Sequence, residues 1–134
     1  MTLFESLKQF PKIDMHIDFF GSIKKETITN LTNNFLNSYV EDTIDFNSLK
    51  DYSDYKKIVK ESLTSLKNIE IATTDLINSL KENNLMYAEV FLNLDDFKKE
   101  LKKRDIVTTI LKVIKDSKIN INLVLEIETV ITKE

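Results

Sequence analysis

Phe10 to Ser22 reads FPKIDMHIDFFGS and holds the only proline (Pro11), the only histidine (His16) and the only glycine (Gly21) of a 134-residue chain. Proline ends a helix and pushes its neighbour toward extended backbone. Glycine admits turns that other residues resist. The path of this chain is therefore sharply punctuated in one place. Between the two residues the sequence alternates, with Ile13, Met15 and Ile17 on one face and Asp14, His16 and Asp18 on the other. A period of two predicts a strand with a distinct polar face. Gly21 predicts a tight turn after it, and Ser22 a cap for a helix opening over Ile23 to Glu26. In α/β proteins ligand-binding residues collect at such a strand tip.

The rest of the chain reads as helices and strands around that segment. Thr2 to Gln9 predicts a short amphipathic lead, with Leu3, Phe4 and Leu7 sharing a face and Pro11 stopping it. Glu26 to Asn37 predicts a helix with Ile28, Leu31, Phe35 and Leu36 inward. Ser38 to Lys50 has no period but is too apolar for a disordered linker, and reads as an ordered connection. Asp51 or Ser53 is expected to cap the next helix, whose stripe is Tyr55, Ile58, Val59, Ser62, Leu63 and Leu66. A second run from Ile69 to Leu80 makes one long helix, or two with a bend near Lys67-Asn68, and Asn83-Asn84 ends it. Leu85 to Leu94 predicts a nearly continuous apolar strand, as suits one covered on both faces of a parallel sheet. Asp95 and Asp105 are candidate caps for the helical stretch that follows, with Ile106, Ile110, Leu111, Val113 and Ile114 as its stripe. Asn120 to Ile127 predicts the third strand. With one glycine and one proline, turns fall to Asn, Asp and Ser, which tolerate left-handed backbone or bond to it locally.

The order βαβαβ implies parallel strands joined by right-handed crossovers. The expected fold class is α/β, a partial TIM-barrel-like unit with about three parallel strands and flanking helices, with 1–134 as a single domain. A complete eight-stranded barrel needs at least about 200 residues. A net charge of -3 makes no electrostatic case for nucleic acid or an anionic membrane. The absence of cysteine excludes disulfides and thiolate metal sites. No signal peptide and no long apolar run is visible, so a cytoplasmic location is expected. There is no Gly-rich phosphate loop and no Ser/His/Asp set.

The segment from Phe10 to Ser22 resembles the start of an adenosine deaminase, a family of the metal-dependent amidohydrolase superfamily. In that family the strand tip carries His-x-His, a short apolar residue, an Asp and a Gly. Both histidines bind zinc, and the Asp contacts the nucleoside. Here His16 matches the first histidine, Asp18 stands in place of the second, and Phe20 in place of the substrate Asp, while Gly21 and Ser22 match. The family's Tyr-x-Glu-Val second strand, with Arg after the Val, is matched by Tyr87, Glu89 and Val90, with Phe91 in the place of the Arg. The resemblance implies zinc as cofactor, His16 and Asp18 as metal ligands, Gly21 in the substrate loop and an adenosine-like nucleoside as substrate.

Two donors do not make a tight zinc site, which takes three or four. The family's remaining ligands and its catalytic Glu and His lie on later strands, and this chain has one histidine. The expectation is a deaminase-like protein, truncated or inactive, in which no residue is assigned a catalytic role. Asp18 has a competing reading as a solvated carboxylate or as a cap on the turn at Gly21, and Phe19 and Phe20 read as packing. Glu89, Glu126 and Glu128, near strand ends, read as pocket-lining, solvated or lysine-paired carboxylates. The alternative is a non-catalytic α/β module for binding or assembly. Three strands leave open sheet edges and apolar faces, so self-association or association with a separate remainder of the barrel is expected.

Overall fold

The computed structural model describes residues 1–32 and 47–128. The elements run α1 (Leu3–Gln9), β1 (Lys12–Asp18), α2 (Lys25–Thr32), α3 (Leu49–Ser62), α4 (Leu66–Glu82), β2 (Leu85–Asn93), α5 (Lys103–Ser117) and β3 (Asn120–Glu126). Short 3-10 turns at Phe20–Ser22 and Leu94–Asp96 follow β1 and β2. The three strands form one parallel sheet in the order β1-β2-β3. This is the α/β, partial TIM-barrel-like unit expected from the sequence. No helix among the described residues is long and apolar enough to cross a membrane.

One core holds the unit together, on one side of the sheet. Ile17, Ala88, Val90, Leu92 and Ile121 meet Val59 of α3 and Leu63 just past its end, Ile69, Ala72, Leu76 and Leu80 of α4, and Ile106 and Ile110 of α5. Each helix contributes residues at three- and four-residue spacing, as an apolar stripe requires. The helix ends follow local chemistry. Ser48 Oγ accepts from the Asp51 N–H at 3.2 Å and caps α3, and Ser65 Oγ accepts from the Asn68 N–H at 3.1 Å and caps α4. Asn84 takes a positive φ of 55° just past α4, and Lys118 one of 60° past α5.

Several local expectations are corrected. The cap of α3 is Ser48, not Asp51 or Ser53. The two central helices are separate, and break at Leu63–Ser65, ahead of Lys67. Helix α2 opens at Lys25, leaving Ser22 inside the 3-10 turn instead of at a cap. Asp95 also lies in a 3-10 turn, which is capped by the Asn93 side chain, and α5 starts only at Lys103. The expected continuation of α2 to Asn37 and most of the Ser38–Lys50 connection lie outside the described residues.

Two corrections concern the sheet. Strand β2 is not covered on both faces: Ala88, Val90 and Leu92 are buried, whereas Tyr87, Glu89 and Phe91 on the other face are half-buried. Strand β1 is not in continuous register with β2. Asp14 pairs with Ala88 but Ile17 with Val90, so β1 carries one extra residue between the pairs. A bulge of this kind interrupts the alternation of faces. Inside it the Asp14 carboxylate accepts from the His16 N–H at 3.0 Å. Ile17 enters the core, but Ile13 and Met15 are 67% and 64% exposed. Helix α1, closed at its start by a Thr2–Glu5 capping box, buries none of its residues.

Candidate functional site at the tip of the first strand

The tip is fixed from below by aromatic packing. The Phe19 N–H donates to the Phe91 carbonyl at 2.9 Å, extending the pairing of β1 with β2 by one residue. Phe19 and Phe20 are buried edge to face, with ring centroids 5.4 Å apart, and both meet Phe97 at 6.1 and 5.0 Å. Phe20 is thus a packing residue, as its apolar ring predicts. The chain then turns through Phe20–Ser22, and the Gly21 N–H donates to Asp18 Oδ1 at 3.1 Å.

Helix α3 supplies the other side of the site. Tyr55 and Val59 anchor it in the core, and the Tyr55 hydroxyl donates to the Ile23 carbonyl. On its flank, Tyr52, Lys56 and Lys60 repeat every four residues and so line up on one side. The Tyr52 hydroxyl donates to Asp18 Oδ2 at 3.0 Å, and the Lys56 ammonium donates to the same oxygen. Lys56 Nζ also lies 5.6 Å from the centre of the Tyr52 ring. One turn on, Lys60 sits 5.4 Å over the Phe20 ring and 2.8 Å from Asp96 Oδ2.

The electrostatics follow from this geometry. Burial pushes the Asp18 carboxyl up, but the Lys56 hydrogen bond, the Gly21 N–H, the Tyr52 hydroxyl and the lysine's charge together hold it below its ordinary value. Burial, then the hydrogen bond to the Asp18 carboxylate and its charge, push the Tyr52 phenol up to about 12. At neutral pH the site therefore holds an ionised carboxylate and a neutral phenol.

Gly21 is where the sequence places it, for a different reason. Its φ is not positive, so the turn does not demand glycine's left-handed freedom. A Cβ there would lie 2.1 Å from the Tyr52 hydroxyl oxygen and 2.8 Å from its ring. The missing side chain is the seat of the tyrosine.

His16 is exposed, and its ring stacks on Phe91 with centroids 4.2 Å apart and planes at 29°. Beyond it the same face of β2 and β3 carries a polar chain. Asn122 Nδ2 donates to the Tyr87 hydroxyl at 2.8 Å, which donates to Glu89 Oε1 at 2.7 Å. The bond to Glu89 is the main reason the Tyr87 phenol lies above its ordinary value. Glu126 pairs in register with Asn93 at the end of the sheet.

These residues do not fit a zinc ion. The chain has one imidazole, and Asp18, the second donor implied by the resemblance, already accepts from an ammonium, a phenol and a backbone amide. Among the described residues no group of three or more His, Asp or Glu side chains is gathered where a metal could be held. Reading the sequence missed Tyr52 and Lys56. They lie 34 and 38 residues from Asp18, and the only local signal is their four-residue spacing beside the core stripe.

The chain matches no protein-family model and no curated protein. Solved structures do resemble it. The Arabidopsis protein ADAL, complexed with GMP, superposes with a TM-score of 0.71 at 20% identity, over 92% of this chain and 42% of its own. The same values hold for the structure described as Arabidopsis N6-mAMP deaminase. An adenine deaminase from Arthrobacter aurescens superposes with a TM-score of 0.64 at 14% identity, over 84% of this chain and 38% of its own. The chain shares the fold of the N-terminal part of these proteins. It spans about two fifths of the length of these proteins. An amidohydrolase from Burkholderia ambifaria with bound Zn shares the fold, with a TM-score of 0.60 at 14% identity over 92% of this chain and 38% of its own.

Proposed function

We propose that this chain is an adenosine deaminase-like protein that does not itself deaminate. Hydrolysis of an exocyclic amine by a metal hydroxide requires a metal with an open position and a base to move protons. The observation that carries the reading is the state of Asp18: the carboxylate in the place of a metal histidine is closed by Lys56, Tyr52 and Gly21. The stacking of His16 on Phe91 accords with it, since a ligand imidazole needs a converging partner. What the unit retains is the strand-tip architecture, with an aromatic and polar sheet face beside it. The test is an assay with adenosine, AMP and N6-methyl-AMP, with zinc supplied. No release of ammonia or methylamine above a protein-free blank is expected. Turnover abolished by a chelator would overturn the reading.

A second reading, assembly, is favoured by one observation. Leu3, Phe4 and Phe10 in and after α1, and Ile13 and Met15 on edge strand β1, are all at least 62% exposed. Exposed apolar side chains in that number on a small unit favour burial against another polypeptide, either a second copy or a separate remainder of the barrel. Sedimentation of the purified chain tests it. A monomer that binds no ANS would count against assembly.

A further inference from the structure

We propose that Lys56 is the resident cation of this strand tip, an internal ammonium that neutralises Asp18 and makes the tip independent of metal. The inference rests on the reading that the chain holds no catalytic zinc, and it says what takes the ion's place. The Asp18 and Lys56 side chains are only 29% and 25% exposed. A carboxylate partly withdrawn from water is stabilised by a compensating charge and by hydrogen-bond donors. Asp18 has both: Oδ1 takes the Gly21 N–H, and Oδ2 takes the Tyr52 hydroxyl and the ammonium.

The arrangement is built from both sides. Tyr52 can reach Asp18 only because residue 21 has no Cβ. Lys56 lies one turn further along α3, with its ammonium near the Tyr52 ring. The next basic residue on that flank, Lys60, is held by Asp96, so each of the two ammoniums has its own carboxylate. A divalent cation at Asp18 would have to displace the lysine and the phenol, and would meet the ammonium's repulsion at short range. Its reward would be one further donor, the exposed His16. The balance favours the lysine.

The experiment uses the whole chain, stripped with a chelator, incubated with excess zinc and desalted. Zinc far below one per chain and a melting temperature unchanged by zinc or chelator are expected. Lys56→Met should lower melting by about 6–8 °C, as expected for loss of a charged hydrogen bond that leaves a carboxylate uncompensated. The double variant Asp18→Asn/Lys56→Met should melt above Lys56→Met, because no unpaired charge remains. One zinc per chain, lost in Asp18→Asn, would overturn the proposal. So would single-variant losses that simply add in the double. Should Lys56→Met fail to fold, Asp18→Asn is compared with the double variant. Equal melting supports the pairing, and a further drop of more than about 4 °C overturns it. Zinc uptake without turnover defeats this inference alone, whereas nucleoside turnover defeats the functional reading.

Discussion

The two faces of the central sheet are built from the same three strands and do different work. On the helix side, Ala88, Val90, Leu92 and Ile121 are buried against the helix layer in an apolar cluster. On the opposite side Tyr87, Glu89 and Phe91 are half-buried and Asn122 is exposed; hydrogen bonds join Asn122, Tyr87 and Glu89, the His16 ring stacks on Phe91, and Asp18 stands at the strand tip. The first face supplies the free energy of folding, since apolar burial is worth about 25 cal/mol per Å2. The second buries less apolar surface and carries the polar side chains of the sheet. Asp18 stands at the boundary: it belongs to the open face by register, but is tied into the helix layer by α3.

The comparison can be broken most forcefully at the core. Phe20→Ala, at 1% exposure, should cost about 4 kcal/mol in denaturant unfolding. Under about 2 kcal/mol, the aromatic floor would not be what positions the tip. Gly21→Ala comes next, at about 2 kcal/mol, because the new methyl must push Tyr52 off Asp18. Tyr52 and Tyr55 are both pushed up to about 12, so the signature is that one of these two titrations falls toward the ordinary value in an ultraviolet pH titration while the other stays. An unchanged titration would mean that Tyr52 has another seat.

Phe91→Ala, on the open face, should cost only about 1 kcal/mol, yet shift the His16 ring protons by removing the stacked ring. A loss as large as that of Phe20→Ala would erase the distinction between the faces. Acidification gives a finer comparison. The folded Asp18 carboxyl lies below its unfolded value, so its stabilisation is complete above about pH 3.9 and is lost as pH falls through the folded value. Wild type should therefore lose stability faster than Asp18→Asn below that pH, and the two should run parallel between pH 5 and 7. Tyr87→Phe is expected to be the smallest perturbation, leaving melting nearly unchanged while the Glu89 contact is lost.

Much of the fold was legible because its signals are local. The βαβαβ order follows from apolar periods, the end of α4 from Asn83-Asn84, and the strand tip from Pro11 and Gly21. Phe19 and Phe20 were legible as packing. The misreadings have physical causes. Serines at 48 and 65 won the caps over Asp51, Ser53 and a mid-run bend, since a cap must sit where the first free N–H groups are. The run from Leu85 to Leu94 looked covered on both faces because Tyr and Phe count as apolar whether or not anything lies over them.

At the candidate site the sequence was informative about which residues would gather on β1, and silent about their partners. Alternation placed His16 and Asp18 at a strand tip, and the cap-like role of Asp18 toward Gly21 was readable from a three-residue separation. Whether Asp18 would face a metal, water or an ammonium was decided by where α3 lies. That position is set by Tyr55, Val59 and Leu63 entering a core shared with two other helices. A bulge likewise decided that Ile17 alone of its alternating set would be buried. Short-range chemistry writes itself into residue order, whereas a lysine 38 residues away meets its carboxylate only when the packing of whole helices brings the two together.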